Sequence, residues 1–496
     1  MFLSRFLDHD PARPALATSH DATATAPSRW LTYGDLRARG ESAAAWLASE
    51  GVRPGDIVAI HLENSLDLVD AHLGCMALGA VRLPLNPHYR EAELTPILED
   101  AAPCLVITAA PERFPGFRAF DGPHPAAEGR GGARGHGAPD QPTSLPADRL
   151  WPDRDLTALL FTSGTTGRPK GVPQTFSMWE ANLGALATLW QLSGDDCLWL
   201  ALPLFHTHGL VLGLHGTLLR GSRAILRPRF EPVVLPGEVT HVYGVPTWYR
   251  RWLPVMQADP EPFRRLTLMV SGSDGLDRAT SDAVYAATGH RILERYGMTE
   301  TVMICSNPGR GERRAGTVGP PVPGVSVRLV DGEVQVSGPS VYSGYWGQPL
   351  RVAESPRSGS GAEAPAWFST GDAGEWDDAG YLRIVGRKKE LIIVGGVNVS
   401  PAEVEAIYAG LPGVREVGAV GLPDDDLNEV VGLAVVVDGD VAEALAAVRE
   451  RGQMLSGLKR PRRVIVLDAL PRNALGKLQR GALKAAFPGG SAPDAT

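Results

Sequence analysis

Apolar and polar positions alternate along roughly the first hundred residues in two rhythms. Tyr33 to Glu50 carries apolar residues at helical spacing and predicts an amphipathic helix. Ile57 to Leu62, opened by the turn Pro54-Gly55-Asp56, predicts a short strand. Ser65 to Leu78 predicts another helix, and Ala80 to Leu83, interrupted by Arg82 and stopped by Pro84, another strand. Such alternation predicts βαβ units and a mostly parallel sheet.

The rhythm breaks between about Pro111 and Leu150. Glu128-Gly-Arg-Gly-Gly-Ala-Arg-Gly-His-Gly-Ala-Pro139 holds too little apolar surface to pack and predicts a loop or linker, as does Ser355 to Ala364. Neither is expected to carry chemistry. After Gly386 a charged run, Arg387-Lys388-Lys389-Glu390, precedes a separate pattern. Strands are predicted at Leu391 to Val394, Val414 to Gly421, Val431 to Asp438 and Val464 to Leu467. Helices are predicted at Pro401 to Ala409, Val441 to Gly452 and about Leu478 to Phe487. The expected fold class is α/β: a large N-terminal domain of βαβ sheets over residues 1–388, and a small α+β C-terminal domain over residues 389–496.

Composition narrows the function. The 496 residues imply several domains at ~150 residues each. A net charge of -8 argues against a partner held through phosphate contacts, so no nucleic acid is expected. No apolar run approaches the ~18–20 residues of a membrane span, and Met1 to Pro11 shows no secretory h-region. The four cysteines, Cys75, Cys104, Cys197 and Cys305, form no CxxC pair, which argues against a zinc site or a disulfide framework. A cytoplasmic protein is expected.

The sharpest local signal is Leu159-Leu-Phe-Thr-Ser-Gly-Thr-Thr-Gly-Arg-Pro-Lys-Gly-Val172, an apolar run entering hydroxyls and glycines that end in a lysine. Thr162, Ser163, Gly164, Thr165, Thr166 and Gly167 offer hydroxyls and close backbone N–H groups, and Lys170 adds charge, a combination suited to polyphosphate. A Walker A loop is excluded, because Pro169 precedes Lys170 and Gly171 follows it. Taken alone, the stretch also reads as a solvated strand–loop.

This string resembles the signature of the adenylate-forming superfamily, which contains acyl-CoA synthetases, nonribosomal-peptide adenylation domains and luciferases. Further motifs of that superfamily follow in the right order: Glu294-Arg-Tyr-Gly-Met-Thr-Glu-Thr301, then Ser369-Thr-Gly-Asp372 with Gly386-Arg-Lys-Lys-Glu-Leu-Ile392, then Pro471-Arg-Asn-Ala-Leu-Gly-Lys477. The resemblance runs from about Trp30 to Leu483. It implies a large adenylate-forming domain with a small mobile lid. The implied reaction makes acyl-AMP and pyrophosphate from a carboxylate and Mg·ATP, after which a thiolate releases AMP.

The resemblance also implies roles for residues. Glu294, Arg295, Tyr296 and Gly297 would border the adenine and the acyl group, with Met298 on the acyl side. Thr299 would touch phosphate, and Glu300 would hold Mg²⁺, a hard cation that prefers carboxylate oxygen. Asp372 would accept the ribose hydroxyls, with Arg387 as its companion. Lys477 would bridge the acyl oxygen and the α-phosphate, neutralising charge as it develops. The hinge falls at Lys388 or Lys389; rotation would withdraw Lys477 and bring in Leu391 to Val399, where Gly395 and Gly396 would let a pantetheine arm pass.

The acid is less constrained. Leu202-Pro-Leu-Phe-His-Thr-His-Gly-Leu210, Tyr243-Gly-Val-Pro-Thr-Trp-Tyr-Arg-Arg251 and Val270-Ser-Gly-Ser273 are similar to the malonyl-CoA synthetases within the superfamily. That similarity implies an acyl pocket bordered by His206, Ser271, Gly272 and Ser273. It also implies that Arg251 pairs with a second carboxylate, for which a guanidinium offers a bidentate fork. One departure stands out: some relatives carry a second arginine in the helix after the Ser-Gly-Ser turn, where this chain has Asp282, with Arg278 a turn away. Malonate or methylmalonate is favoured; an aryl, amino-bearing or fatty acid is the alternative. CoA is expected as acceptor, since no phosphopantetheine-accepting domain follows the Lys477 motif, and a free-standing carrier protein is the alternative. A nucleotide-binding regulator without turnover is disfavoured by the presence of Glu300, Asp372 and Lys477. Monomer and homodimer remain open.

Overall fold

The computed structural model describes residues 2–18, 29–122, 155–162, 168–348, 367–395, 397–454, 457, 459–473 and 476–488. The chain packs as two compact units. One comprises Met1–Ala315, Gly319–Ser326 and Ser337–Trp367; the other comprises Gly316–Val318, Val327–Val336 and Phe368–Thr496. The position expected for the hinge, Lys388–Lys389, lies within the second unit.

The first unit is built on two sheets. A six-stranded sheet runs in the order Ala119–Phe120, Leu105–Thr108, Ile57–His61, Val81–Pro84, Leu156–Thr162, Lys170–Thr175. All its neighbours are parallel except the last pair, an antiparallel hairpin. An eight-stranded sheet runs Val302–Ser306, Leu293–Met298, Leu268–Ser271, His241–Gly244, Cys197–Leu200, Arg223–Leu226, Pro14–Thr18, Trp30–Thr32. It is parallel through its centre and antiparallel at both edges. The parallel strands follow from the helices between them, which carry the chain back across each sheet.

Local chemistry sets these elements. Helix Tyr33–Ser49 begins with a capping box: the Thr32 side chain accepts from the Asp35 N–H, and the Asp35 carboxylate accepts from the Thr32 N–H. Helix Leu66–Leu78 has Ser65 as N-cap. Arg82, which interrupts its strand pattern, is fully buried. Its Nε donates to the Thr157 carbonyl at 2.9 Å, Nη1 lies 2.8 Å from His215 Nε2, and Nη2 bonds the Thr157 hydroxyl. The guanidinium also faces the Trp179 ring at 4.9 Å. Neutral acceptors and a π-face thus hold a cation that the strand pattern could not accommodate as apolar.

The second unit contains a four-stranded antiparallel sheet, Ser326–Val330, Glu333–Ser337, Phe368–Trp376 and Leu382–Arg387, and a five-stranded sheet. The latter places Val397–Val399, Ile392–Val394, Asn428–Val437 and Val414–Asp424 in order, with Arg463–Val466 parallel to Asn428–Val437. Helices Pro401–Tyr408, Val441–Gln453 and Arg480–Ala485 complete the expected α+β pattern. Several boundaries differ from those expected. The hairpin continues past Pro423 because Asp424 pairs with Asn428, which adopts φ 68 at the turn. The last helix starts at Arg480, not Leu478, because Leu478 bridges back to Arg472. Among the described residues, no helix is long and apolar enough to cross a membrane.

Candidate active site

In the first unit the hydroxyl- and glycine-rich loop is closed by its own hairpin: Thr162 pairs with Lys170 across the strands. Ser163, Gly164, Thr165, Thr166 and Gly167 lie outside the described residues. Lys170 Nζ sits 5.0 Å over the Tyr345 ring. The Tyr345 hydroxyl donates to Glu300 Oε1 at 3.0 Å. Burial, and then the Glu300 charge, raise the Tyr345 phenol well above its ordinary value. Gln174 donates to the Thr299 carbonyl at 2.6 Å and accepts from the Trp179 indole at 2.8 Å. Lys170, Tyr345, Glu300 and Thr299 therefore form one neighbourhood. Tyr345 and Gln174 were not singled out by sequence; the aromatic–glycine run Tyr342-Ser-Gly-Tyr-Trp346 was the available signal.

Thr299, Glu300 and Thr301 form the tip of an antiparallel hairpin between Leu293–Met298 and Val302–Ser306. The turn is tight. A Cβ on Gly297 would stand 1.9 Å from the Val302 carbonyl oxygen, so only glycine fits. Val302 itself adopts φ 58, a costly conformation for a β-branched residue. Packing of this hairpin therefore holds Glu300, which is 5% exposed, in a defined place. Glu294 and Arg295 point into buried surroundings, whereas Tyr296, Gly297 and Met298 are half-buried.

The segment expected to border the acyl group assembles around the end of strand Leu268–Ser271. Gly272 lies directly under the Arg295 side chain: a Cβ there would meet its guanidinium carbon at 2.1 Å. Ser273 adopts φ 71, with its hydroxyl 3.5 Å from His208 Nδ1. His208 begins a π-helical turn, His208–His215, and its ring stacks 6.3 Å from Tyr243. Burial, then the Arg295 charge, push the His208 pKa far below its usual value. His206, singled out from sequence, is half-buried with its ring 4.5 Å from Phe205, and burial pushes its pKa down to about 4. Of these histidines, His208 is the one beside Ser273.

Arg251 is exposed on helix Pro246–Ala258, its guanidinium 5.1 Å over Phe230. Asp282 and Arg278 are also exposed; Asp282 pairs with Arg291 at 2.5 Å and with Arg278 at 3.5 Å. The hydrogen bond from Arg291 holds the Asp282 carboxyl below the ordinary range. The acid at this position is thus neutralised by arginines of its own surroundings.

Within the second unit, Asp372 is 5% exposed and pairs with Arg387 Nε at 3.0 Å. Arg387 Nη1 also donates to the Thr370 carbonyl at 2.9 Å, and the Thr370 hydroxyl accepts the Asp372 N–H. Lys388 and Lys389 are exposed in the turn after strand Leu382–Arg387; Lys388 reaches Glu333 at 3.4 Å. Gly395 donates its N–H to the Leu427 carbonyl at 2.8 Å, and Gly396 lies outside the described residues. Lys477 is exposed, its N–H bonded to Asn473 Oδ1 at 2.9 Å, in a loop tied down by Arg472. Arg472 holds the Gly476 carbonyl at 2.7 Å and Glu416 at 2.7 Å.

Comparison with known proteins identifies the family. The AMP-binding enzyme family matches residues 7–346, and the AMP-binding enzyme C-terminal domain matches residues 403–477. A malonate–CoA ligase of Arabidopsis thaliana is 32% identical over 88% of this chain and 78% of its own. A feruloyl-CoA synthase of Amycolatopsis sp is 34% identical over 96% of this chain and 98% of its own. The crystal structure of ATP-bound MatB from Rhodopseudomonas palustris superposes with a TM-score of 0.81, at 34% identity, covering 98% of each chain. The chain therefore belongs to the AMP-binding, adenylate-forming superfamily and is an AMP-forming acyl-CoA ligase.

Proposed function

We propose that this ligase converts a small dicarboxylic acid, malonate or methylmalonate, into its CoA thioester through an acyl-AMP intermediate. The observation that carries the reading is the likeness to MatB along 98% of the chain, together with a Ser-Gly-Ser turn flanked by buried basic and imidazole groups. In the first half-reaction a substrate carboxylate oxygen attacks the α-phosphorus of ATP and pyrophosphate leaves. In the second, the CoA thiolate attacks the acyl carbonyl of the mixed anhydride and AMP leaves.

Each role follows from the chemistry at its position. Lys170 and the hydroxyls from Thr162 to Thr166 would cradle the triphosphate, with Thr299 beside them. Among the described residues, no cluster of three or more ligating side chains is assembled for a metal. Mg²⁺ would be held by the buried Glu300 carboxylate, a hard oxygen donor, and would supply neutralisation of developing phosphate charge. Tyr296 would cover the adenine, Asp372 with Arg387 would take the ribose hydroxyls, and Lys477 would meet the charge that develops at the reacting oxygens. The turn at Lys388 and Lys389 would be the hinge that exchanges Lys477 for Gly395–Gly396 between half-reactions. Arg251 would reach a second carboxylate from an exposed position.

The likeness to a feruloyl-CoA synthase supports a second reading, in which an aryl acid is the substrate. A panel of acids with ATP, Mg²⁺ and CoA, read by pyrophosphate release and thioester formation, separates them. Malonate or methylmalonate should lead the panel; an aryl or fatty acid in first place sinks the dicarboxylate reading.

A further inference from the structure

We propose that Gln174, buried on the strand that leaves the hydroxyl- and glycine-rich loop, is a positioning residue: by holding the Thr299 carbonyl it fixes Thr299 and Glu300 for the triphosphate and its metal. This rests on the reading above in which those two residues meet Mg·ATP, and it assigns the side chain that keeps them in place.

The amide stands where packing asks for none. Strand Lys170–Thr175 is buried from Gly171 onward, and Gln174 is fully buried. A buried amide with its partners adds little net stability over an apolar side chain of similar size; what it adds is direction. Both of its ends are used. Nε2 donates to the Thr299 carbonyl at 2.6 Å, and Oε1 accepts from the Trp179 indole at 2.8 Å. An indole N–H only donates and a carbonyl only accepts, so the amide has a single possible orientation. Trp179 is itself fully buried and stacked on His215 at 4.9 Å, which gives the oxygen a fixed donor. Gln174 therefore ties the hairpin tip to a ring that is packed in place.

The tip responds to that tie through its backbone. The Thr299 carbonyl and the Glu300 N–H belong to one planar peptide unit, so holding the carbonyl holds the plane. The next carbonyl, that of Glu300, accepts the Tyr342 N–H at 2.8 Å. Glu300 thus sits between two held peptide planes, and its carboxylate stays where the Tyr345 hydroxyl meets it at 3.0 Å. Such restraint is needed here, because Val302 adopts φ 58, a costly conformation that persists only where the surroundings over-determine it. Of the two carbonyl bonds, the one from Tyr342 is main chain to main chain; the one from Gln174 can be removed by substitution. Gln174 also shares its strand with Lys170, so it sets the tip relative to the end of the loop.

The test measures binding by calorimetry on the full-length enzyme, with Mg·ATP and with AMP, in the absence of acid and CoA. AMP lacks the β- and γ-phosphates, so it reports folding and the nucleoside site without the tip. Gln174→Met should weaken Mg·ATP about 10- to 100-fold, the scale for losing an outer-shell hydrogen bond, and AMP less than about twofold. Gln174→Asn keeps the amide but is too short to span Trp179 and Thr299; it should shift the ratio of the two affinities in the same direction, which covers a poorly folding Gln174→Met. An unchanged ratio in both variants, or equal losses for AMP and Mg·ATP, overturns the assignment alone when Glu300→Gln still weakens Mg·ATP. Wild-type Mg·ATP affinity in Glu300→Gln overturns the metal reading and the assignment together.

Discussion

The Tyr345 hydroxyl donates to Glu300 Oε1 at 3.0 Å, and the same ring lies 5.0 Å beneath Lys170 Nζ. One aromatic side chain thus couples Lys170, at the end of the hydroxyl- and glycine-rich loop, to the carboxylate at the hairpin tip. If Glu300 holds Mg²⁺, Tyr345→Phe should raise the Mg·ATP concentration for half-maximal rate by about tenfold, through loss of the hydrogen bond that orients the carboxylate. Glu300→Gln should raise it further, by about 100-fold. A Mg²⁺ titration of pyrophosphate release decides; unchanged half-saturation in both variants rejects the metal role.

Lys477 is exposed, so Lys477→Ala should leave thermal stability within about 0.5 kcal/mol of wild type. Malonate-dependent pyrophosphate release should nevertheless fall by roughly 100-fold or more, the usual scale for removing a charge that stabilises a transition state. Release at the wild-type rate would mean the lysine has been misassigned.

Charge reversal at Arg251 places a carboxylate where a cation is proposed to reach the substrate. Arg251→Glu should reduce malonate use by about 5- to 10-fold relative to acetate, a modest loss because the position is screened by water. Equal losses for both acids count against the pairing.

Asp372 is buried, and Arg387 is its paired cation at 3.0 Å. Arg387→Met removes the cation paired with the buried carboxylate, and destabilisation of the second unit by about 2–4 kcal/mol is expected. The KM for ATP should rise together with it if Asp372 takes the ribose hydroxyls. Urea unfolding and ATP saturation curves measure the two effects separately; normal ATP saturation would remove the ribose role while keeping the structural one.

Acid should destabilise the first unit through its buried histidines. Burial is the leading cause that lowers His61, His206 and His241 to about 4, and it takes His72, His208 and His215 well below the ordinary imidazole value. The unfolded chain protonates these rings near pH 6.5, so it binds more protons than the folded chain below that pH. The stabilisation is complete above pH 6.5 and is lost as pH falls from there towards 4. Each ring contributes a slope of up to about 1.4 kcal/mol per pH unit, and a loss of several kcal/mol by pH 5.5 is expected. Urea midpoints constant from pH 7.5 to 5.5 would refute this.

Much of the molecule was legible from local pattern. The capping box at Thr32 and Asp35, the Ser65 cap and the helical spacing between them are short-range chemistry, and the helices formed where that chemistry put them. The motifs around Thr162, Glu300, Asp372 and Lys477 were readable for the same reason: each is contiguous in the chain. Strand ends at Asp424 and Asn428 were not, because Pro423 hides a pairing that only the partner strand imposes.

What the sequence determined on its own was the family, the two-step chemistry it implies, and the order of elements, since ordered contiguous motifs and hydrophobic periodicity need no knowledge of distant contacts. Tertiary structure alone decided which side chains meet. It set Tyr345 against Glu300 across 45 positions and chose His208 over His206 as the neighbour of Ser273. It also satisfied the nitrogens of Arg82 while leaving Nε and Nη2 of Arg295 without partners. Two buried arginines look alike in a string of letters; whether each finds acceptors depends on strands and turns brought together from far along the chain.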